Sequence, residues 1–197
     1  MDDTGSGAAA VARKRGRPTE QERERRRDDI LDAAVRLLIA DGFGEVTLDD
    51  IRAEAHVTKR TIYAYFGDRT EIFLAAVERL RDRTLHAPAA DDSLEELAVK
   101  IVLALHSDEA VGLHRLMIAE SRSFPELSAS FYRDGPERYI DALNARLPQA
   151  DPARAAALFA LLLGEPHRRR LLGLDAAPDR RAAENQARAA LALVTPG

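Results

Sequence analysis

Apolar residues recur at helical spacing through most of this chain, and no segment shows the alternation of a half-buried β-strand. Ile30, Leu37 and Leu38 display the pattern in the first predicted helix, which Thr19 caps. The predicted fold class is therefore all-α, with about nine helices. They span 20–40, 48–55, a third that starts at Thr58, 69–86, 92–106, 109–122, 125–147 with a break at Gly135-Pro136, 152–172 and 179–194.

Composition excludes several classes of protein. The chain has no cysteine, which rules out disulfides, thiolate metal sites and a cysteine nucleophile. No apolar run approaches the roughly 18 residues that span a bilayer, and the basic N-terminal cluster is not followed by the apolar segment of a signal peptide. We therefore predict a cytoplasmic protein with no membrane partner.

Charge is unevenly distributed. The net charge is −4, yet the stretch from Arg13 to Arg27 holds eight basic residues against three glutamates. A basic arm on an acidic protein is typical of nucleic-acid binding. Residues 1–18 lack periodicity and are predicted to form a disordered basic arm, although a merely solvated tail has the same composition.

The stretch VTKRTIYAYF, residues 57–66, combines cations, hydroxyls and aromatic rings. In a helix starting at Thr58, Ile62, Tyr65 and Phe66 share one face, which is predicted to pack on the first two helices. Lys59, Arg60, Thr61 and Tyr63 lie largely on other faces. A short helix, a tight turn and a cationic second helix predict a DNA-binding helix-turn-helix; a helical connector with solvated charges is the alternative.

The run ILDAAVRLLIADGFGEVTLDDIRAEAHVTKRTIYAYFGDRTEIF resembles the DNA-binding domain of TetR-family transcriptional regulators. The resemblance implies that Thr47 touches phosphate, that Lys59, Arg60 and Thr61 enter the major groove, and that Arg69 holds a phosphate. It also implies backbone or base contacts from both tyrosines of the third helix. The predicted DNA-binding residues are Thr47, Thr58, Lys59, Arg60, Thr61, Tyr63, Tyr65 and Arg69.

Two positions depart from that family pattern. Arg52 stands where alanine is common, and we expect it to point outward along its stem. His56 stands where glycine is common before the turn valine. Glycine there supplies a positive φ, which histidine tolerates at some cost.

The C-terminal half, from HRLMIAESRSF to LFALLLGEPHRRRLLGL, resembles the C-terminal domain of AefR-like repressors. The two resemblances imply a helix-turn-helix domain at 19–67 and a ligand-binding and dimerisation domain at 68–197. They imply a homodimeric regulator, more often a repressor, that binds a palindromic DNA operator and is released by a small-molecule inducer. No cofactor and no metal are predicted.

Methionine and aromatic side chains suit an adaptable apolar cavity. Any one of the pocket residues also fits an ordinary core position. A metal site built from His106, His114 and His167 is not favoured, because their spacing matches no common ligand motif. The predicted pocket residues are Leu103, His106, Leu113, Met117, Glu120, Ser121, Phe124, Tyr132, Tyr139, Phe159 and His167.

The segment LFALLL, residues 158–163, is apolar around the whole helix, and the last helix carries a stripe of small side chains. We predict that both contact a second subunit in a four-helix interface, with burial inside one chain as the alternative. The predicted interface residues are Leu158, Leu161, Leu162, Ala183, Ala187, Ala190, Leu191 and Val194.

An enzyme is not predicted. The sequence has no glycine-rich phosphate loop, no Gly-x-Ser-x-Gly and no His-Glu-x-x-His motif. A DNA-binding protein without sequence preference or ligand control remains a second hypothesis, and a strong salt dependence without discrimination between sites would distinguish it.

Overall fold

The computed structural model describes residues 19–84 and 91–194. These residues form helices and turns with no strand, which confirms the all-α prediction. The predicted arm at 1–18 and the end of the predicted fourth helix lie outside them. The elements are α1 (Glu20–Glu45), α2 (Leu48–Glu54), α3 (Lys59–Phe66), α4 (Arg69–Thr84), α5 (Leu94–Leu105), α6 (Asp108–Glu120), α7 (Pro125–Tyr132), a π-helical turn (Arg133–Glu137), α8 (Arg138–Asn144), α9 (Pro152–Leu171) and α10 (Arg180–Val194).

Side-chain caps start several of these helices. Thr19 caps α1 and Thr47 caps α2, each within a reciprocal capping box whose second member lies three residues on. Ser93 caps α5 in the same way. Such boxes satisfy two backbone N–H groups that have no partner inside the helix. The starts of these helices therefore follow from local sequence.

The first core joins α1, α2, α3, α4 and α6. Ile30, Ile62, Ile72 and Phe73 are almost completely buried there. Leu113 of α6 belongs to this core, and ridges of α6 pack on both α1 and α4. The cluster therefore extends past the predicted boundary at residue 67, since α4 and α6 share it with the helix-turn-helix.

The second core joins α5, α8, α9 and α10. Leu97, Ile101, Leu143 and Leu158 are its most deeply buried large side chains. The alanines of α10 let this helix approach α5 closely. The chain thus has two adjacent cores, and α6 contacts elements of both.

Three helices are interrupted. Gly42 leaves helical geometry with φ 79°, so the predicted end of the first helix at DGFG is seen as a break within α1. The predicted break at Gly135-Pro136 is a π-helical turn that runs directly into α8. A third break, in α9, was not predicted: Gly164 has φ 52° and ψ −150°, a conformation that favours glycine.

Ion pairs tie α4 to α1. Arg79 contacts Asp28 at 2.9 Å and Asp32 at 2.6 Å, and Arg83 contacts Asp32 at 3.1 Å. The arginine hydrogen bond holds the pKa of Asp32 below its usual range, with partial burial acting in the opposite direction. These ion pairs therefore fix the position of α4 against α1.

Candidate DNA-reading surface and ligand cavity

The turn between α2 and α3 sets the direction of α3. His56 has φ 52° and is the one non-glycine residue with positive φ among those described, so the expected left-handed conformation is present without glycine. Thr58 then caps α3 by accepting from the Thr61 backbone N–H at 3.2 Å. Its hydroxyl also lies 2.9 Å from the Thr61 hydroxyl. These contacts join only Thr58 and Thr61 and do not cover the outer face of α3.

That helix has two distinct faces. Ile62 and Phe66 are buried in the first core. Tyr63 is 54% exposed, and Arg60 is also exposed. The Arg27 guanidinium of α1 lies 5.3 Å from the centre of the Phe66 ring, on the packed side of α3.

Lys59 lies on this surface but is engaged. Its ammonium group is 2.8 Å from Asp49 of α2, and Arg52 contacts the same carboxylate at 3.2 Å. The Lys59 hydrogen bond is the main reason that the pKa of Asp49 lies below its usual value. Arg52 is on the surface, as expected from its long stem. Asp49 therefore partly neutralises the charge that Lys59 brings to this surface.

Of the remaining predicted contacts, Tyr65 and Arg69 are less accessible. Tyr65 is half-buried against the first core. Arg69 lies over the Phe43 ring at 4.2 Å and donates to the Gly44 carbonyl at 3.3 Å, while its buried Nε has no hydrogen-bond partner. Thr47 is exposed and serves as a helix cap. The structure thus groups Lys59, Arg60 and Tyr63 on one accessible face and holds Tyr65 and Arg69 partly inside.

A mostly apolar cavity of about 150 Å³ lies between α6, α7, the π turn and α9. Phe131 and Phe159 supply aromatic walls, and His114, Tyr132 and His167 are the lining residues with polar side-chain atoms. No aspartate or glutamate is among its lining residues. These are Leu105, Ala110, Leu113, His114, Phe131, Tyr132, Pro136, Phe159, Leu163 and His167.

The two histidines form a pair. His114 Nδ1 and His167 Nε2 are 3.0 Å apart, across 53 residues of sequence. The His106 ring stands edge-on to His167, with centroids 5.1 Å apart. His106 Nδ1 is 2.9 Å from the Val102 carbonyl oxygen, which only accepts, so this nitrogen carries the proton. His106 Nε2 and His167 Nδ1 are buried without partners.

These imidazoles are neutral near neutral pH. Burial lowers the pKa of His106, His114 and His167, because a charged ring loses hydration. The pKa of His167 falls to about 4, since the other two histidines and Arg170 also oppose its protonation. Arg170 is buried and donates to the His106 carbonyl at 3.0 Å and to Asp108 at 2.6 Å.

Four of the predicted pocket residues line this cavity: Leu113, Tyr132, Phe159 and His167. The other seven do not. Met117 and Phe124 pack in the first core, Tyr139 belongs to the second, and Leu103 faces a separate groove between α5 and α10. His106 stands behind His167, while Glu120 and Ser121 lie at the end of α6, away from the cavity.

Sequence reasoning missed six lining residues as pocket members. They are Leu105, Ala110, His114, Phe131, Pro136 and Leu163. On α9, Phe159, Leu163 and His167 are spaced four apart, which is a signal for a shared helix face. Among residues 19–84 and 91–194, no three His, Cys, Asp or Glu side chains are arranged to hold a metal ion.

The predicted subunit interface needs a correction. Leu158, Leu162, Ala183 and Ala187 are 0% exposed, and Ala190 is 4% exposed, so these side chains are covered within their own chain. The small alanine side chains let α10 pack on α5. This is burial within one chain, the alternative that the sequence left open. Leu161 is 39% exposed, and Leu191 and Val194 are partly exposed.

The opposite faces of the last two helices are open. On α9 the exposed apolar positions are Ala153, Ala156, Ala157, Ala160 and Leu161. On α10 they are Ala182, Ala189, Ala192 and Leu193, and Leu193 is 73% exposed. Both sets recur at helical spacing, so each helix has one apolar stripe inside and one outside.

Two family models match this chain. The model for bacterial regulatory proteins of the tetR family matches residues 30–76. The model for the AefR-like transcriptional repressor C-terminal domain matches residues 92–195, which is more than half of the chain. The first match spans the helix-turn-helix, and the second spans every element that lines the cavity.

Among curated relatives, the HTH-type transcriptional regulator SrpR of Pseudomonas putida is 32% identical over 139 residues. The match covers 68% of this chain and 65% of SrpR, just under two thirds of that protein.

Solved structures agree with these matches. The Flavonoid-responsive Regulator FrrA superposes with a TM-score of 0.64 at 30% identity, covering 87% of this chain and 95% of FrrA. A TetR transcriptional regulator from Agrobacterium tumefaciens gives 0.64 at 26% identity, with 86% and 94% coverage. Over the part that the structure describes, no helix is long and apolar enough to cross a membrane.

Proposed function

This chain belongs to the TetR family of bacterial transcriptional regulators, with an AefR-like C-terminal domain, and on that basis we propose that it is a homodimeric repressor released from its operator by a small molecule. Membership makes it a DNA-binding regulator and not an enzyme. The proposal adds that this regulator represses transcription, that a ligand releases it from DNA, which residues contact DNA, and that two copies form a dimer. The observation that carries it is the pairing of an exposed basic, aromatic face on α3 with a mostly apolar cavity beside α6.

Recognition of DNA is assigned to the outer face of α3. Arg60 is suited to a guanine edge, since a guanidinium donates two parallel hydrogen bonds. Tyr63 is suited to a phosphate or base edge. Lys59 would exchange Asp49 for a phosphate, so its contact costs one surface ion pair, about 0–1 kcal/mol. Tyr65 and Arg69 act mainly by packing, and each would have to move to contact DNA.

Two copies of α3 would read a palindromic operator. A two-fold dimer places two recognition helices about one turn of DNA apart. The exposed stripes of α9 and α10 are the proposed interface, because four such helices would cover the apolar positions that one chain leaves open. Operator binding sets the proposed site of action at the bacterial chromosome, in the cytoplasm.

Control by ligand would pass through α6. His114 of α6 lines the cavity, while on its other side Gly112 lies against Ile39 of α1. A Cβ at Gly112 would come within 2.8 Å of an Ile39 methyl group, so only glycine allows this approach. The α4 helix supplies no residue to the cavity and would be moved through α6 and the Arg79 ion pairs. The name of FrrA, a flavonoid-responsive relative, supports control by a small organic molecule.

The direct test has two stages. DNase footprinting upstream of the gene for this protein should reveal a short protected palindrome, with random DNA competing poorly. A thermal-shift screen of small aromatic compounds should then yield ligands that release that operator in a gel shift. Linkage requires that each true inducer bind less tightly when operator is present. Equal competition by random DNA would replace this function with sequence-independent binding.

A further inference from the structure

The cavity walls restrict the size of a ligand. Phe131 and Phe159 face a space of about 150 Å³ between α6, α7 and α9. An engineered apolar cavity of about 150 Å³ in another protein holds one benzene molecule. The space within these walls therefore fits a single aromatic ring.

The charge around the cavity restricts its chemistry. No carboxylate lines the space, so an ammonium ligand would be buried without a counterion. His114 and His167 are uncharged at neutral pH for the reasons given above, so they do not supply a cation for a carboxylate ligand. An uncharged molecule is the one that can enter without leaving a buried charge unpaired.

The imidazole pair then adds a polar requirement. Two neutral rings that share one hydrogen bond always leave one N–H and one bare nitrogen. If His167 donates from Nε2, its own Nδ1 is bare and His114 Nε2 carries the proton; if His114 donates, the two outer atoms exchange roles. The buried His167 Nδ1 has no partner in either case. A hydroxyl group both donates and accepts, so it matches either tautomer.

We infer that this cavity binds an uncharged monocyclic phenol, with the ring between Phe131 and Phe159 and the hydroxyl hydrogen-bonded to the His114–His167 pair. The inference rests on the proposed ligand control and names the ligand class for that site. Because the pair joins α6 to α9, the phenol would bridge the helix that contacts α1 and the helix that carries the proposed dimer face.

The test compares three probes on the full-length protein at pH 7.5 by isothermal titration: phenol, toluene and benzoate. Toluene is the more apolar, so a cavity without a polar anchor would prefer it. We expect phenol to bind about tenfold more tightly than toluene, in line with one net hydrogen bond, and benzoate to bind more weakly than phenol. Toluene binding as tightly as phenol, or benzoate binding more tightly, would overturn the inference.

Variants locate the anchor. His114→Leu and His167→Leu should each abolish the preference for phenol, whereas His114→Gln, which keeps a donor and an acceptor, should retain part of it. Ser121→Ala, at the C-terminal cap of α6 and outside the cavity, is the matched control and should behave as wild type. If His167→Leu does not fold, the half-buried His114 gives the decisive variant. A phenol preference that survives both leucine variants would contradict the assignment.

The outcomes also separate this inference from the proposed function. If none of the three probes binds while a larger compound releases operator DNA, ligand control stands and the monocyclic phenol is wrong. If phenol binds with the expected preference but never affects the operator complex, the site is correct and ligand release is wrong.

Discussion

Polar side chains make local contacts on the surface of the helix-turn-helix, whereas in the C-terminal half they make long-range contacts in the interior. In the first, Thr58 contacts Thr61 three residues away, on the surface. In the second, His114 meets His167 across 53 residues, inside the protein. The proposed DNA-reading surface is thus built by short stretches of chain, and the cavity by the assembled tertiary structure. Changes on the first should alter DNA binding with little effect on folding, whereas changes in the second should alter stability.

The largest effect is expected from the inner stripe of α10. Ala187→Arg would place an unpaired cation in the second core, where Ala187 is 0% exposed, and should prevent the C-terminal half from folding. Ala189→Arg, on the exposed stripe, is the matched control. It should keep the circular dichroism and thermal transition of wild type but sediment as a monomer. A well-folded monomeric Ala187→Arg protein would reverse this assignment of faces.

Acid should destabilise the C-terminal half through His167. Its pKa is about 4 in the folded state and about 6.5 when unfolded, so the unfolded chain binds more protons between these values. Above about pH 6.5 His167 is neutral in both states and does not lower the unfolding free energy. As the pH falls from 6.5 toward 4, protonation of the unfolded chain lowers the unfolding free energy. Wild type should therefore lose about 2–3 kcal/mol more unfolding free energy between pH 7 and pH 4.5 than His167→Gln loses. Urea unfolding at both pH values measures it.

His56→Asn is the control for this pH experiment. It removes an exposed imidazole from the helix-turn-helix while asparagine still tolerates a positive φ. Its pH dependence should match that of wild type. An equal reduction in both variants would show that the buried environment of His167 is not the cause.

On the DNA-reading surface, Tyr63→Ala should weaken operator binding by about 1–3 kcal/mol. The unfolding free energy should change by no more than about 0.5 kcal/mol, because the side chain is largely exposed. Gel-shift titration and urea unfolding measure the two quantities. Tyr63→Phe separates the hydroxyl from the ring, and unchanged affinity in the alanine variant would remove Tyr63 from the site.

The smallest effect concerns the turn before α3. His56→Gly should relieve the cost of a left-handed residue and stabilise the protein by up to about 1 kcal/mol, partly offset by the entropy of glycine. Thermal denaturation of the two proteins measures the change. Destabilisation would indicate that the imidazole makes a contact that outweighs its backbone strain.

The helix-turn-helix could be predicted because its signals are local. Thr47 and Thr58 cap helices, and the residue types on α3 differ between its faces, with Ile62 and Phe66 inside and Tyr63 outside. The left-handed turn at His56 also followed from the family pattern, in which glycine is common at this position. Hydrophobic periodicity was enough to place these side chains before any tertiary contact was known.

The C-terminal half could be predicted as helical but not in detail. In α10, alanines occupy neighbouring positions such as 182 and 183, so composition does not tell which stripe is inside. Burial against α5 decides it, and that depends on contacts distant in sequence. Met117 fits an apolar pocket as well as a core, and only the position of α6 against α1 and α4 assigns it to the core. The histidine pair had no sequence signal for the same reason.

The π turn at Arg133–Glu137 has a consequence for how related chains diversify. A π turn holds one residue more than an α turn, so deletion of one residue there would restore a regular helix while leaving α7 and α8 in nearly the same rotational register. The cavity wall that holds Tyr132 and Pro136 would then lose one residue, while both cores kept their sequences. A one-residue insertion or deletion at this point is therefore a route by which natural selection can change ligand size without rebuilding the rest of the fold.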